Sequence, residues 1–292
     1  MKNNPWLKTL SLCCLLIALI TSAVASANES SEQQSANENQ QDDFTWQMMI
    51  GASVVYDPSI FKGVEDEDFS DYLGLSIVFD VYYKGFFIQA NKRRASGLYS
   101  GAELGYQIES NEQWGLDILT KAYIGSYSPS DLIEQQDKPI PTMEGLGTRQ
   151  SADGLALRYS YYGEQSVLSI DFASTGINSS VGGWLIESFY SKLIPYRNWD
   201  IYYGVGLTYY SSDIVDHYIG IDADEVSPVR AEYHASGAFL AQFEINALYP
   251  LSENWTLNAG IIQNFYSNKI TDSPLVAHAN LTQALIGFVY VF

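Results

Sequence analysis

From Phe44 to Phe292 apolar and polar residues alternate with a period of two, in stretches of about ten residues set apart by turn residues. In Trp199–Tyr210, Trp199, Ile201, Tyr203, Val205, Leu207 and Tyr209 share one parity. The other parity holds Asp200, Tyr202, Gly204, Gly206, Thr208 and Tyr210. Over 239–249, Phe239, Ala241, Phe243, Ile245, Ala247 and Tyr249 oppose Gln242, Glu244 and Asn246, and over 255–265 Trp255, Leu257, Ala259, Ile261 and Phe265 oppose Thr256, Asn258, Gly260 and Asn264. Nearer the start, Leu73, Leu75, Ile77, Phe79 and Val81 oppose Gly74, Ser76 and Asp80. Period two is the repeat of a strand, and no long helical period competes with it. Strands of this length, apolar on one face and polar on the other, are the trace of a transmembrane barrel, whose residues face lipid and lumen in turn.

A half-buried soluble sheet also alternates, so the placement of charge discriminates better. Asp80, Glu103, Asp117, Lys121, Arg158, Asp171, Asp200 and Glu244 all fall on the polar parity. A lysine or arginine on the lipid face at mid-membrane costs roughly 2–4 kcal/mol, a large part of a protein's net stability. Trp46, Trp199, Trp255, Tyr56, Tyr83, Tyr209 and Tyr249 cluster near the ends of apolar faces. Amphipathic rings prefer the headgroup level, so these predict two aromatic girdles.

The pattern predicts an all-β fold, a single antiparallel up-and-down barrel over 44–292. Its strands fall near 45–56, 71–83, 86–92, 97–108, 114–126, 153–162, 166–173, 181–193, 199–210, 237–249, 254–266 and 282–292. That is about twelve, with ten as the alternative count. Short turns at Lys84-Gly85, 109–113, 163–165, 195–198 and 252–254 alternate with longer loops at 57–70, 127–152, 211–236 and 267–281. Short turns belong to the periplasm and long loops to the exterior, so both ends of the barrel are expected on the periplasmic side.

Ahead of the barrel the chain changes character. Lys2 and Lys8, an apolar run over 10–20, and small residues at Ala23, Ala25 and Ala27 read as a cleaved export label over 1–27. The apolar run is shorter than the roughly 20 residues a spanning helix needs. Residues 28–43 contain no apolar side chain larger than alanine and are expected to be a flexible periplasmic tether. Both cysteines, Cys13 and Cys14, lie in the label, so the remainder has no thiol chemistry.

Charge excludes one class of partner. Without the label, 13 basic residues face 34 acids, a net charge of −21 that phosphate backbones would repel. Acidic disordered chains are poor in aromatics, whereas this one holds 22 Tyr, 13 Phe and 6 Trp and is expected to fold.

Candidate chemistry is sparse. His217, His234 and His278 fall in or beside outer loops, and Asp213, Asp216 and His217 invite comparison with barrel proteases that carry acids and a histidine on the outer rim. Neighbours on a loop supply no oriented base. Acidic runs at 65–68 and at Asp222, Asp224 and Glu225 suit divalent cations but lack the spacing of an EF-hand loop. They read as a solvated rim that divalent ions bridge to lipopolysaccharide. No residue is assigned a catalytic, cofactor or metal role. Within the lumen, Lys121 and Arg158 sit among at least six carboxylates. That predicts either a salt-bridged, closed interior or a narrow acidic pore. Lumen tyrosines at Tyr72, Tyr202 and Tyr210 favour closure.

Three segments carry a resemblance. GASVVYDPSIFKG at 51–63 with Glu65-Asp66-Glu67-Asp68, the strand Trp199–Tyr210 leading into SSDIVDHYIGI at 211–221, and Asp272-Ser273-Pro274-Leu275-Val276 resemble elements of the MipA/OmpV family. Ile219 and the enlarged acidic loops depart from its pattern. The last strand, with Gly287, Tyr290 and the terminal Phe292, resembles the C-terminal signal read by the barrel-assembly machinery. The resemblance implies an outer-membrane barrel of Gram-negative bacteria, non-enzymatic and without cofactor. It also implies a scaffold joining a murein-degrading transglycosylase to a murein synthase. A narrow cation-preferring pore and a surface adhesin are the alternatives.

Overall fold

Runs rich in Val, Ile, Tyr, Phe and Trp, alternating with polar residues, build pleated strands because branched and aromatic side chains pack well on that surface. In the computed structural model the described residues are 44–64, 72–90, 102–136, 138–176 and 181–292, all in the unit Phe44–Phe292. The expected label (1–27) and tether (28–43) lie outside them, as do the acidic run 65–68 and parts of the third and fourth expected strands (91–92 and 97–101).

Twelve strands form among these residues. They are β1 (Phe44–Tyr56), β2 (Leu73–Tyr83), β3 (Phe86–Ala90), β4 (Ala102–Ser110), β5 (Trp114–Ile124) and β6 (Ala152–Gly163), then β7 (Ser166–Thr175), β8 (Gly183–Tyr196), β9 (Trp199–Tyr210), β10 (Ala238–Pro250), β11 (Trp255–Tyr266) and β12 (Asn280–Val291). Each pairs antiparallel with its neighbours in sequence, and β1 pairs β12 to close the ring. Closure removes the free edges that an open sheet would expose. At the seam Met49 pairs with Val291 and Tyr56 with Ala284. Gly287 stands opposite Ser53, and a Cβ there would lie 2.4 Å from the Ser53 side chain and 2.5 Å from the Ala52 carbonyl. The glycine thus has a structural reason at the seam.

The predicted faces hold. Leu73, Leu75, Ile77 and Phe79 point outward, with Leu75 86% exposed, while Ser76 and Asp80 turn inward. On β10, Phe239, Phe243 and Ile245 are exposed and Gln242, Glu244 and Asn246 buried. Lys192 is an outward charge absent from the sequence-based set. It lies near the periplasmic end of β8, where its stem can reach the headgroups.

Aromatic rings form two belts. The periplasmic belt pairs Phe44 with Tyr83, Trp114 with Tyr159, Trp199 with Tyr249 and Trp255 with Tyr290. The outer belt runs Phe172–Trp184–Tyr209–Phe239. Ten residues separate Trp199 from Tyr209. At about 3.3 Å per residue and a tilt near 40°, the belts stand about 25 Å apart, the height of the apolar band of such barrels. Tyr72, expected in the lumen, instead stacks on outward Tyr56 with ring centroids 6.5 Å apart. It precedes the first ladder residue of β2, so strand parity does not govern it.

Candidate functional site in the lumen

Five consecutive strands each send one charged side chain to a common point inside the ring: Glu103 from β4, Lys121 from β5, Arg158 from β6, Asp171 from β7 and Glu187 from β8. The Arg158 guanidinium forks onto two carboxylates at once. It donates to Glu103 at 2.6 and 3.0 Å and to Asp171 at 2.6 and 2.8 Å. Lys121 Nζ lies 2.8 Å from Glu187, 3.1 Å from Asp171 and 3.6 Å from Glu103. Gln89 and Tyr123 donate to Glu103 and Asp171 at 3.0 and 3.2 Å, and Tyr82 donates to Gln89. Arg158 is 3% exposed and Glu103 and Asp171 1% each. Charges so buried are tolerable only because each is paired and hydrogen-bonded. The carboxylates and cations gathered here are thus salt-bridged, as the first of the two expected interiors requires.

Next along the ring, β8, β9 and β10 pack closely. A Cβ at Gly204 would fall 2.4 Å from Glu244 Cγ and 2.6 Å from Phe189 Cζ, so glycine there seats both side chains. Asn246 donates to Asn258 at 2.7 Å. Toward the periplasmic turns the interior widens into a cavity of about 630 Å³, walled in part by Asp80, Ser169, Phe189, Ser191, Tyr202 and Asn258. It reaches the turn residues Gly163–Ser166 at one end and meets Gln89, the lower edge of the ionic cluster, at the other.

The outer mouth carries folded structure in the segments that the sequence marks only as longer loops. Helices α1 (Pro129–Gln135), α2 (Ser212–Ile219) and α3 (Asn268–Thr271) lie in these loops. Ile214, Val215, Tyr218 and Ile219 of α2 are buried and join Leu119, Ala152, Ala156, Ala173 and Leu185 of the upper lumen in one apolar cluster. The α2 helix is therefore packed into the mouth as part of its cap. Tyr218 donates to the Gln150 carbonyl at 2.7 Å, Tyr127 to the Tyr218 carbonyl at 2.6 Å and Ser273 to the Ile219 carbonyl at 2.7 Å. Burial pushes the Tyr127 hydroxyl up to about 12, so it stays a donor. Lys62 N–H to the Leu275 carbonyl (2.9 Å) and Ala277 N–H to the Ile60 carbonyl (2.8 Å) tie the first loop to the last.

Two arginines bind the central loops together. Arg149 meets Glu225 at 2.8 Å, and Glu225 also accepts from the N–H groups of Gly147 and Asp222. Burial raises the Glu225 carboxyl, but Arg149 and these N–H groups outweigh it and hold the group below the usual carboxylate range. Arg230, 2% exposed, donates to the carbonyls of Thr142, Glu144 and Glu225.

Asp213, Asp216 and His217 all lie on α2, but Asp216 and His217 engage different backbone partners. The ring of His217 sits 3.3 Å from the Gln150 carbonyl, and its basicity is lowered by burial. Asp216 accepts from Ala235 N–H and stands 3.6 Å from His234, while Asp213 and His278 are exposed. Asp222 and Asp224 are exposed, and Glu225 is committed to Arg149.

Known proteins place the chain. Outer membrane protein Omp26La of Vibrio anguillarum is 24% identical over 56% of this chain, which spans 63% of that protein's length. The 24 kDa outer membrane protein of Pasteurella multocida is 23% identical over 100% of both chains. Among solved structures, the outer membrane channel DcaP of Acinetobacter baumannii superposes with a TM-score of 0.44 at 9% identity, covering 85% of this chain and 97% of that one. The model of the family described as MltA-interacting protein MipA matches residues 50–292, so this closed twelve-stranded barrel of the outer membrane belongs to that family.

Proposed function

We propose that the protein is a non-enzymatic scaffold of the cell envelope, a closed barrel that holds murein-degrading and murein-synthesising enzymes beneath the outer membrane. The observation that carries the reading is the salt-bridged lumen: Arg158 and Lys121 tie five strands together beneath a folded cap, which suits a rigid platform whose outer surfaces and rims engage partners. The family's description as an MltA-interacting protein supports a murein hydrolase as partner. His217 is engaged by the Gln150 carbonyl and Asp216 by the Ala235 N–H, so these contacts orient the pair toward the loop backbone, which supports a non-enzymatic reading.

Photo-crosslinkers at Glu112, Gln165 and Asn198, one in each of three periplasmic turns, test the scaffold role in cells. Capture of murein enzymes above the level of an unrelated barrel is expected, and equal capture by both would end the reading. Residues 1–27 as a cleaved label, 28–43 as a tether, cation-bridged lipopolysaccharide at the acidic rim and engagement of the assembly machinery by the strand ending at Phe292 belong to the same proposal. N-terminal sequencing of protein from outer membranes should begin at Asn28.

A second reading, a narrow cation-preferring pore, is favoured by the surplus of carboxylates over cations in the lumen, where Glu103, Asp171 and Glu187 face only Lys121 and Arg158 in the central cluster. Planar-bilayer recording decides it: cation-selective steps would establish the pore, and a silent bilayer removes it.

A further inference from the structure

We infer that the periplasmic cavity is a binding pocket for a small amine cation carried on an apolar, ring-sized body. Its volume, about 630 Å³, is that of ordinary small-molecule sites, which are mostly apolar with a few placed polar groups. Val78, Val289 and Val291 on β2 and β12, flanking β1, make an apolar strip. In the ring order β7 and β8 stand opposite, and there Ser169 and Ser191 present hydroxyls. Such a cavity suits a guest with one greasy and one polar side.

Charge decides the sign of the polar end. Among the described lining residues Asp80 and Glu164 are acidic and none is basic. Asp80 is half-buried, and its carboxylate is fixed by accepting the Ala90 N–H at 2.7 Å. In this partly dry interior a carboxylate attracts a cation far more strongly than in bulk water, and it repels an anion by the same measure. Phe189 and Tyr202, both in the wall, supply aromatic rings of the kind that attract an ammonium group. Glu164 in the periplasmic turn places a second acid at the entrance. The cavity reaches the periplasmic turn at Gly163–Ser166, so the guest enters and leaves from that side.

Three probes with the same ring and different heads isolate the claim: benzylammonium, benzyl alcohol and phenylacetate. They are titrated by calorimetry into the refolded full chain in an uncharged detergent. Saturable binding of benzylammonium is expected, at least about tenfold tighter than phenylacetate. Asp80→Asn, which keeps an oxygen for the Ala90 N–H, should erase that preference. Ser191→Phe should abolish binding of all three while the barrel keeps its SDS resistance. The proposal is overturned if benzylammonium shows no saturable binding, if phenylacetate binds as tightly, or if folded Ser191→Phe binds like the parent.

Discussion

Arg158 shows how much one side chain decides in a closed barrel. Its two forks hold Glu103 and Asp171, both almost fully buried. Arg158→Ala leaves two carboxylates in a dry interior with Lys121 alone, and breaking a buried pair costs about 3–5 kcal/mol. That loss should appear as a lower urea midpoint for the folded, SDS-resistant form. Arg158→Lys should fall between, since an ammonium supplies charge without the planar fork. Gly287 makes a second residue-scale case. Gly287→Val would press a branched side chain against Ser53 and the Ala52 carbonyl across the seam. The fraction of heat-modifiable, closed barrel recovered after refolding should drop sharply. The parity of Glu103, Lys121, Arg158 and Asp171 was legible in the sequence, but Glu187 was not singled out there and none of the partners was. Glu103 and Glu187 share Lys121 although 84 positions apart, and only the combined register of five strands brings them level.

The element whose role the sequence reading missed is α2. Ile214, Val215, Tyr218 and Ile219 recur at helical spacing, a signal present in the chain but short and set within a long polar loop. Its burial depends on small lumen residues, Ala152, Ala156 and Ala173, that leave room beneath the mouth. The strands were legible because a barrel imposes one rule on all of them; loops obey no shared period. The cap's latch is testable by pH. Glu225 titrates lower when folded than its ordinary 4.5, so its contribution is complete above that value and is lost as pH falls through the folded one. Protection factors over 211–237, taken relative to the slower intrinsic amide exchange in acid, should therefore fall as pH drops below the ordinary carboxylate range. Glu225→Gln should show fast exchange already at neutral pH, with the β-ladder still protected.

At the scale of the whole molecule, greasy side chains make a band about 25 Å high between two aromatic belts, and polar ones turn inward. The band tolerates hydroxyls at its edges and a lysine near the rim, as Ser188 and Lys192 illustrate. It should not tolerate a charge at its centre. Ile77→Arg is expected to cost roughly 2–4 kcal/mol in bilayer refolding, against little for a charge at the rim. The central claim is the partition itself, and spin-label accessibility along β10 measures it most directly. Single cysteines placed from Leu240 to Leu248, with Cys13→Ser and Cys14→Ser, would carry the label in liposomes. Oxygen accessibility is expected to rise at 241, 243, 245 and 247 and to fall at 242, 244 and 246. A flat profile, or maxima at Gln242 and Glu244, would contradict the account.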